Sequence, residues 1–163
     1  MLIGVISDTH GYLNPKVYHH FAEVNYILHA GDVGKDSILD DLEEIAPVHA
    51  VSGNVDFPLI ARRPLKFFSN IGGVSIGMTH GHLLDPGDYN LSAVEMFAAE
   101  KPRIIIHGHS HVAKNEVLGE TTILNPGAAC KPRFRDVSSI AIIEVAVDVS
   151  FHIRFIPLAP HTE

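Results

Sequence analysis

Five short, largely apolar runs, Leu2 to Ile6, Tyr26 to Leu28, Val48 to Val51, Val74 to Met78 and Ile104 to Ile106, are each followed within a few residues by glycine and a polar metal-ligand type. The followers are Asp8-Thr9-His10, Gly31-Asp32, Gly53-Asn54, His80-Gly81-His82 and Gly108-His109-Ser110-His111. Runs of this length and composition are expected of strands covered on both faces. In an open α/β sheet, ligands bind in the crevice beyond the carboxyl ends of the strands. The repeated placement therefore predicts that these polar residues converge on one site.

Helical patterns fill the spaces between the runs. Asn14-Pro15 offers a cap with proline at the first helical position, and Val17, Phe21 and Val24 recur at helical spacing. A second helix is expected after Asp36, with Ile38, Leu39, Leu42 and Ile45 as its apolar stripe, ending before Pro47. A third starts near Asp88, turns Leu91, Val94, Phe97 and Ala98 inward and stops before Pro102. Past Val112 the pattern changes to strands. Val117 to Leu124 predicts a hairpin turning at Gly119-Glu120, followed by strands near Ser139 to Val147 and Ser150 to Ile156, with Asp148 in the turn between them. The segments Phe57 to Arg63 and Asn125 to Asp136 are the expected long loops. Helix-linked strands followed by hairpins predict a mixed sheet pair with helices on the outer faces.

The 163 residues fall within the size of one domain, and a single domain over 1–163 is expected. A hydrophobic fraction of 46% with 19% charged residues excludes disorder and low complexity. No uninterrupted apolar run reaches the length a bilayer needs, and the start at Met1 reads directly into the first strand without a basic leader. A single cysteine, Cys130, forms no internal disulfide, which fits a cytoplasmic location. The net charge of -7 argues against long-range attraction to duplex nucleic acid.

Residues two apart on an extended chain face the same side, so Asp8 with His10, and His109 with His111, are expected to present paired donors. Asp, Asn and His together suit two divalent cations better than one structural zinc. A lone Asp32 has two oxygens with which to bridge them. Two cations in such a site activate water and neutralise phosphoryl oxygens, which points to phosphate ester hydrolysis. Glycine beside the candidate ligands allows close backbone approach. His29, inside an apolar run, and His107 are assigned structural roles. His19, His20 and His161 are assigned to the surface, and Lys131, Arg133 and Arg135 to a solvated loop.

In their order along the chain, Asp8-x-His10, Gly31-Asp32, Gly53-Asn54, His80-Gly81-His82 and Gly108-His109-Ser110-His111 resemble the signature of the calcineurin-like metallophosphoesterases, with Asn125-Pro126-Gly127 beyond it. The resemblance is closest to the small single-domain bacterial and archaeal phosphodiesterases. It implies a four-layer α/β/β/α sandwich of two mixed β-sheets flanked by helices. It also implies one metal at Asp8, His10, Asp32 and His111, and another at Asp32, Asn54, His80 and His109. Attack on phosphorus by a hydroxide bridging the metals is the implied chemistry.

Many members of the family place an acid-supplying histidine immediately after the Gly-Asn pair. This chain has Val55 there, followed by Asp56, as in the small phosphodiesterase branch. Asp56 and His82 are the nominated secondary polar groups near substrate. Manganese is the first choice of metal, with iron, nickel or zinc also suited to the ligand set. Small phosphodiesters or nucleotides are the expected substrates, and a homo-oligomer is compatible with the strand pattern. The rival readings are a phosphomonoesterase and a protein-binding scaffold of this fold, similar to the retromer subunit that has lost metal-site residues.

Overall fold

A computed structural model describes residues 1–56, 63–130 and 137–158. The chain runs β1 (Leu2–Ile6), α1 (Lys16–His20), β2 (Tyr26–His29), α2 (Ser37–Glu43), β3 (Val48–Ala50), β4 (Lys66–Ile71) and β5 (Val74–Thr79). It continues through α3 (Tyr89–Met96), β6 (Ile104–Ile106), β7 (Lys114–Leu118), β8 (Thr121–Asn125), β9 (Ser139–Val145) and β10 (Phe151–Pro157). Two five-stranded sheets result, in the orders β10-β9-β1-β2-β3 and β4-β5-β6-β8-β7. Both are mixed. In the first, β1, β2 and β3 are parallel and β9 runs antiparallel to both its neighbours, β1 and β10; in the second, β5, β6 and β8 are parallel, with β4 and β7 antiparallel at the edges.

Side-chain alternation sorts the core into three layers of contact, which makes the architecture a four-layer α/β/β/α sandwich. Ile3, Val5, Ile76, Met78, Ile104, Ile106, Ala141 and Ile143 fill the space between the sheets. Ile6, Ile140 and Ile142 face the opposite way, onto Val17 and Phe21 of the α1 region and Leu39 and Leu42 of α2. Ile105 faces outward from the second sheet onto Ala93 and Phe97. Strands buried on both faces in this manner need a continuous apolar sequence, and β6 is Ile-Ile-Ile.

Local signals set the element ends. The Asn14 side chain accepts from the Lys16 amide at 3.0 Å, and the Asp88 side chain accepts from the Leu91 amide at 3.0 Å. The Asp36 side chain, expected to cap α2, makes no cap hydrogen bond and pairs with Arg63 at 3.0 Å. In α3 the expected stripe is rotated: Leu91 and Ala98 are exposed, while Ala93 and Phe97 carry the packing. The sequence pattern missed β4 altogether. It is an edge strand with alternating exposure, joined to β5 through Gly72-Gly73, both at positive φ, in a tight hairpin with Ile71 opposite Val74. Among the described residues no helix is long and apolar enough to cross a membrane.

Candidate metal centre

The parallel pairing of β1 with β2 continues beyond both strands. The Asp8 amide donates to the Gly31 carbonyl at 3.0 Å, the His10 amide to the Asp32 carbonyl at 2.9 Å, and the Gly11 amide to the Val33 carbonyl at 2.7 Å. This stitches the first two ligand loops side by side. The other loops close in at glycines. A Cβ on Gly53 would stand 2.0 Å from Asp32 Oδ1, and one on Gly108 would stand 2.0 Å from Ser7 Oγ and 2.5 Å from Asp8 Oδ2. At both positions hydrogen is the only substituent that fits.

The expectation of extended backbone in the ligand loops is corrected by the structure. Asp8, His10, Asp32, His109 and His111 all have positive φ, between 48° and 67°. Asp and His tolerate this region better than most residues, yet each such conformation costs roughly 1–3 kcal/mol and persists only where the surroundings enforce it. Residues 107–111 lie past the end of β6, so His107, His109 and His111 do not share a strand face. His107 turns away to stack on Tyr89 at 5.5 Å between ring centroids, with Nδ1 donating to the Gly108 carbonyl at 3.0 Å. That is the structural role assigned to it. His109 and His111 turn toward the carboxylates.

Two groups of donors form. Asp8, His10 and His111 present ligand atoms within 4.8 Å of one another, and so do Asp32, His80 and His109. The Asp8 carboxylate is buried and held on one oxygen by Ser7 Oγ at 2.6 Å and the His109 amide at 3.1 Å. Its other oxygen lies 3.1 Å from His111 Nε2 and 3.8 Å from both His80 Nε2 and His10 Nε2. Asp32 accepts from the Val55 amide at 3.0 Å on Oδ1, leaving Oδ2 at 3.2 Å from His80 Nε2 and 3.9 Å from His10 Nε2. Asp32 thus touches both groups.

His80 supplies the test of whether a cation fits. Its Nδ1 donates to the Ala30 carbonyl at 2.8 Å, which leaves the lone pair of the neutral ring on Nε2. That buried Nε2 has no hydrogen-bond partner of acceptable geometry, although a carboxylate oxygen lies 3.2 Å away. A lone pair facing a carboxylate is repulsive unless positive charge sits between them. The donor set and this orphaned nitrogen fit a divalent cation.

Titration behaviour points the same way. Burial pushes His80 down, but the nearby Asp32 and Asp8 carboxylates and the Ala30 carbonyl together raise it above its ordinary value. The hydrogen bond from His111 to Asp8 raises His111 against the opposing effect of burial. Burial would raise Asp8 and Asp32, and their imidazole neighbours together with hydrogen bonds hold both below the ordinary value. Burial lowers His109 and His82. Away from the centre, fully buried His29 is pushed down to about 4 by burial. Its Nδ1 accepts from the Gly31 amide at 3.2 Å and its Nε2 donates to Thr9 Oγ1 at 3.0 Å, so it is the satisfied core histidine expected.

The nominated secondary groups part company. Asp56, expected near substrate, spends both carboxylate oxygens on backbone: it accepts from Gly34 N at 2.9 Å and Gly53 N at 2.8 Å. It is buried and ties the loop after β2 to the loop after β3. His82 stays beside the centre, with ring centroids 5.5 Å from His80 and 6.4 Å from His109 and its Nδ1 without a partner. Asn54 is exposed, one residue beyond the Gly53 contact with Asp32. Asn125 has a larger part than its turn motif conveyed. Its Nδ2 donates to the Gly108 carbonyl at 3.0 Å and Ser110 Oγ at 2.9 Å, clamping the loop that carries His109 and His111. Lys35, overlooked in the sequence, lays its stem along Gly11, 3.2 Å from where a Cβ would stand. Lys131, Arg133, Arg135 and His161 lie outside the described residues.

The family model described as the calcineurin-like phosphoesterase superfamily domain matches residues 1–148. A probable metallophosphoesterase of Methanocaldococcus jannaschii is 34% identical over 163 residues, covering 97% of this chain and 82% of that protein. Among solved structures, a predicted phosphoesterase of Streptococcus pneumoniae superposes with a TM-score of 0.78 at 30% identity, covering 96% of this chain and 89% of that one. A single-residue variant of Vps29 from Entamoeba histolytica superposes with a TM-score of 0.79 at 25% identity, over 96% of this chain and 99% of that one.

Proposed function

This chain belongs to the calcineurin-like phosphoesterase superfamily, and from that premise we propose that it is a dimetal-dependent phosphodiesterase acting on small phosphodiesters or nucleotides. The observation that carries the reading is the pair of three-donor groups, Asp8/His10/His111 and Asp32/His80/His109, joined by Asp32. Asp32 would be shared between the two cations, and Asn54 is the further ligand that the family resemblance assigns to the second. Divalent cations held there, manganese first and iron, nickel or zinc as alternatives, supply Lewis acidity that activates water and neutralises phosphoryl oxygens.

The chain's own residues do the rest. Asp8 is fixed by Ser7 and the His109 amide, His80 by the Ala30 carbonyl, and the loop bearing His109 and His111 by Asn125. Orientation is thereby set before substrate arrives. Burial lowers His82 and so disfavours its imidazolium, the form that would donate a proton. With Val55 at the position of the family's acid histidine, the centre favours leaving groups that need little protonation. The diester preference follows from that Val55-Asp56 pattern. The single Cys130 supports a cytoplasmic location.

A second reading, a protein-binding scaffold, is favoured by the likeness to Vps29. Retention of two donor groups in full weighs against a purely structural role, because buried polar clusters are costly to keep. The test is hydrolysis of bis(4-nitrophenyl) phosphate and of 4-nitrophenyl phosphate by the manganese-loaded protein, with His109→Ala as the background. Turnover of the diester above that background is expected. Activity confined to the monoester overturns the diesterase, and no turnover with metal loading verified overturns the enzyme.

A further inference from the structure

A cavity of about 80 Å³ lies against the loop that carries His109 and His111, walled also by the start of α3 and by β7 and β8. Two observations place it beside the donors. Ser110, in its wall, is the residue between His109 and His111. His107, also in its wall, has Nδ1 3.4 Å from the point where a Cβ on Gly81 would stand, and the Cβ of His109 is 3.4 Å from the same point.

The charged part of the wall is already satisfied. Glu116 divides its carboxylate between Lys114 at 2.8 Å and Asn90, while Asn125 gives both amide hydrogens to the metal loop and its oxygen to the Gly127 amide at 2.9 Å. What stays open is neutral. Ser110 Oγ accepts from Asn125 and keeps its own hydrogen to donate; His107 donates through Nδ1 to the Gly108 carbonyl, so its Nε2 carries a lone pair. The remaining wall is the Tyr89 ring, stacked on His107 at an interplanar angle of 12°, with Val112 and Ile123. Such a wall suits a heteroaromatic ring whose edge offers a hydrogen-bond donor beside an acceptor. Volume limits it to one ring. An enclosed cavity of about 150 Å³ takes a whole benzene, so 80 Å³ opening past the exposed Val112 and Lys114 takes most of one ring and excludes two.

We propose that this cavity receives the pyrimidine base of a nucleotide ester whose phosphate lies at the donor groups. The proposal rests on the phosphoesterase reading and adds a substrate class to it, pyrimidine nucleotides in preference to purine ones. Stacking on the aromatic wall supplies affinity, and the one-ring volume supplies the choice of base.

Calorimetric titration of the manganese-loaded protein with ribose 5-phosphate, uridine 5′-monophosphate and adenosine 5′-monophosphate reads the base apart from the phosphate, which all three share. The uridine nucleotide is expected to bind roughly tenfold more tightly than ribose 5-phosphate, as one stacked base would give. The adenosine nucleotide is expected to bind no more tightly than ribose 5-phosphate. Val112→Phe, a larger side chain at an exposed position of the rim, is expected to abolish the uridine advantage while leaving ribose 5-phosphate affinity and metal content unchanged. Equal affinity of the uridine nucleotide and ribose 5-phosphate overturns the base subsite alone. An adenosine nucleotide bound as tightly as the uridine one overturns the choice of pyrimidine, and an undiminished uridine advantage in Val112→Phe overturns the assignment to this cavity. Failure of ribose 5-phosphate to bind with metal loading verified overturns the phosphoesterase reading as well.

Discussion

The two donor groups are built from the same residue types but constrained in opposite ways. In the group of Asp8, His10 and His111 the carboxylate is locked by Ser7 and the His109 amide, while the imidazoles are 25% and 32% exposed. In the group of Asp32, His80 and His109 it is an imidazole that is locked: His80 is fully buried and fixed through Nδ1 to the Ala30 carbonyl. A fully buried, pre-oriented ligand loses less freedom on binding a cation than a half-exposed one. The second group is therefore expected to hold its metal more tightly, and the first to exchange with solvent more readily.

The largest test of that asymmetry is ligand removal. His80→Ala is expected to weaken manganese binding in its group at least about 100-fold, and His10→Ala only about tenfold in the other. Calorimetric titration resolving two binding events measures both, and equal losses would break the comparison. Next comes packing around the locked carboxylate. Gly108→Ala drives a methyl into Ser7 Oγ and Asp8 Oδ2 and is expected to cost about 3 kcal/mol in a denaturant titration of the metal-free protein. A loss below about 1 kcal/mol would mean that the Asp8 loop yields easily.

Protons sharpen the comparison at smaller amplitude. His80 and His111 titrate above the ordinary 6.5 in the metal-free centre, one in each group. Their contribution to metal-free stability is complete below about pH 6.5 and is lost as pH rises through the raised folded values. Metal binding runs the other way, because only the neutral imidazole is a ligand. The melting temperature of the metal-free protein is expected to fall from about pH 6 to about pH 8, while the increase given by manganese grows over the same interval. The smallest effect is expected of Ser7→Ala. It removes one hydrogen bond to Asp8, leaves that from the His109 amide, and should cost about 1 kcal/mol with both metals still bound.

The strands at the centre of each sheet were legible because burial on both faces leaves a continuous apolar imprint, as in β1 and β6. Edge strand β4 was not, since its Lys66, Ser69 and Asn70 dilute the pattern, and the turn pair Gly72-Gly73 was passed over. Candidate ligands were legible from their position after strands, which needs no knowledge of backbone angle. Their left-handed conformations were hidden, because Asp and His adopt that region only when tertiary contacts impose it. The tie that Asp56 makes between two loops was hidden for a related reason. Its partner Gly34 is 22 residues away, and nothing in the local sequence shows that both oxygens are taken.

Anomalous scattering from a manganese-soaked crystal tests the central claim most directly. Two peaks roughly 3.5–4 Å apart are predicted, one among Asp8, His10 and His111 and one among Asp32, His80 and His109, with Asp32 between them. A single peak, or none, under conditions that saturate the protein with manganese would contradict it.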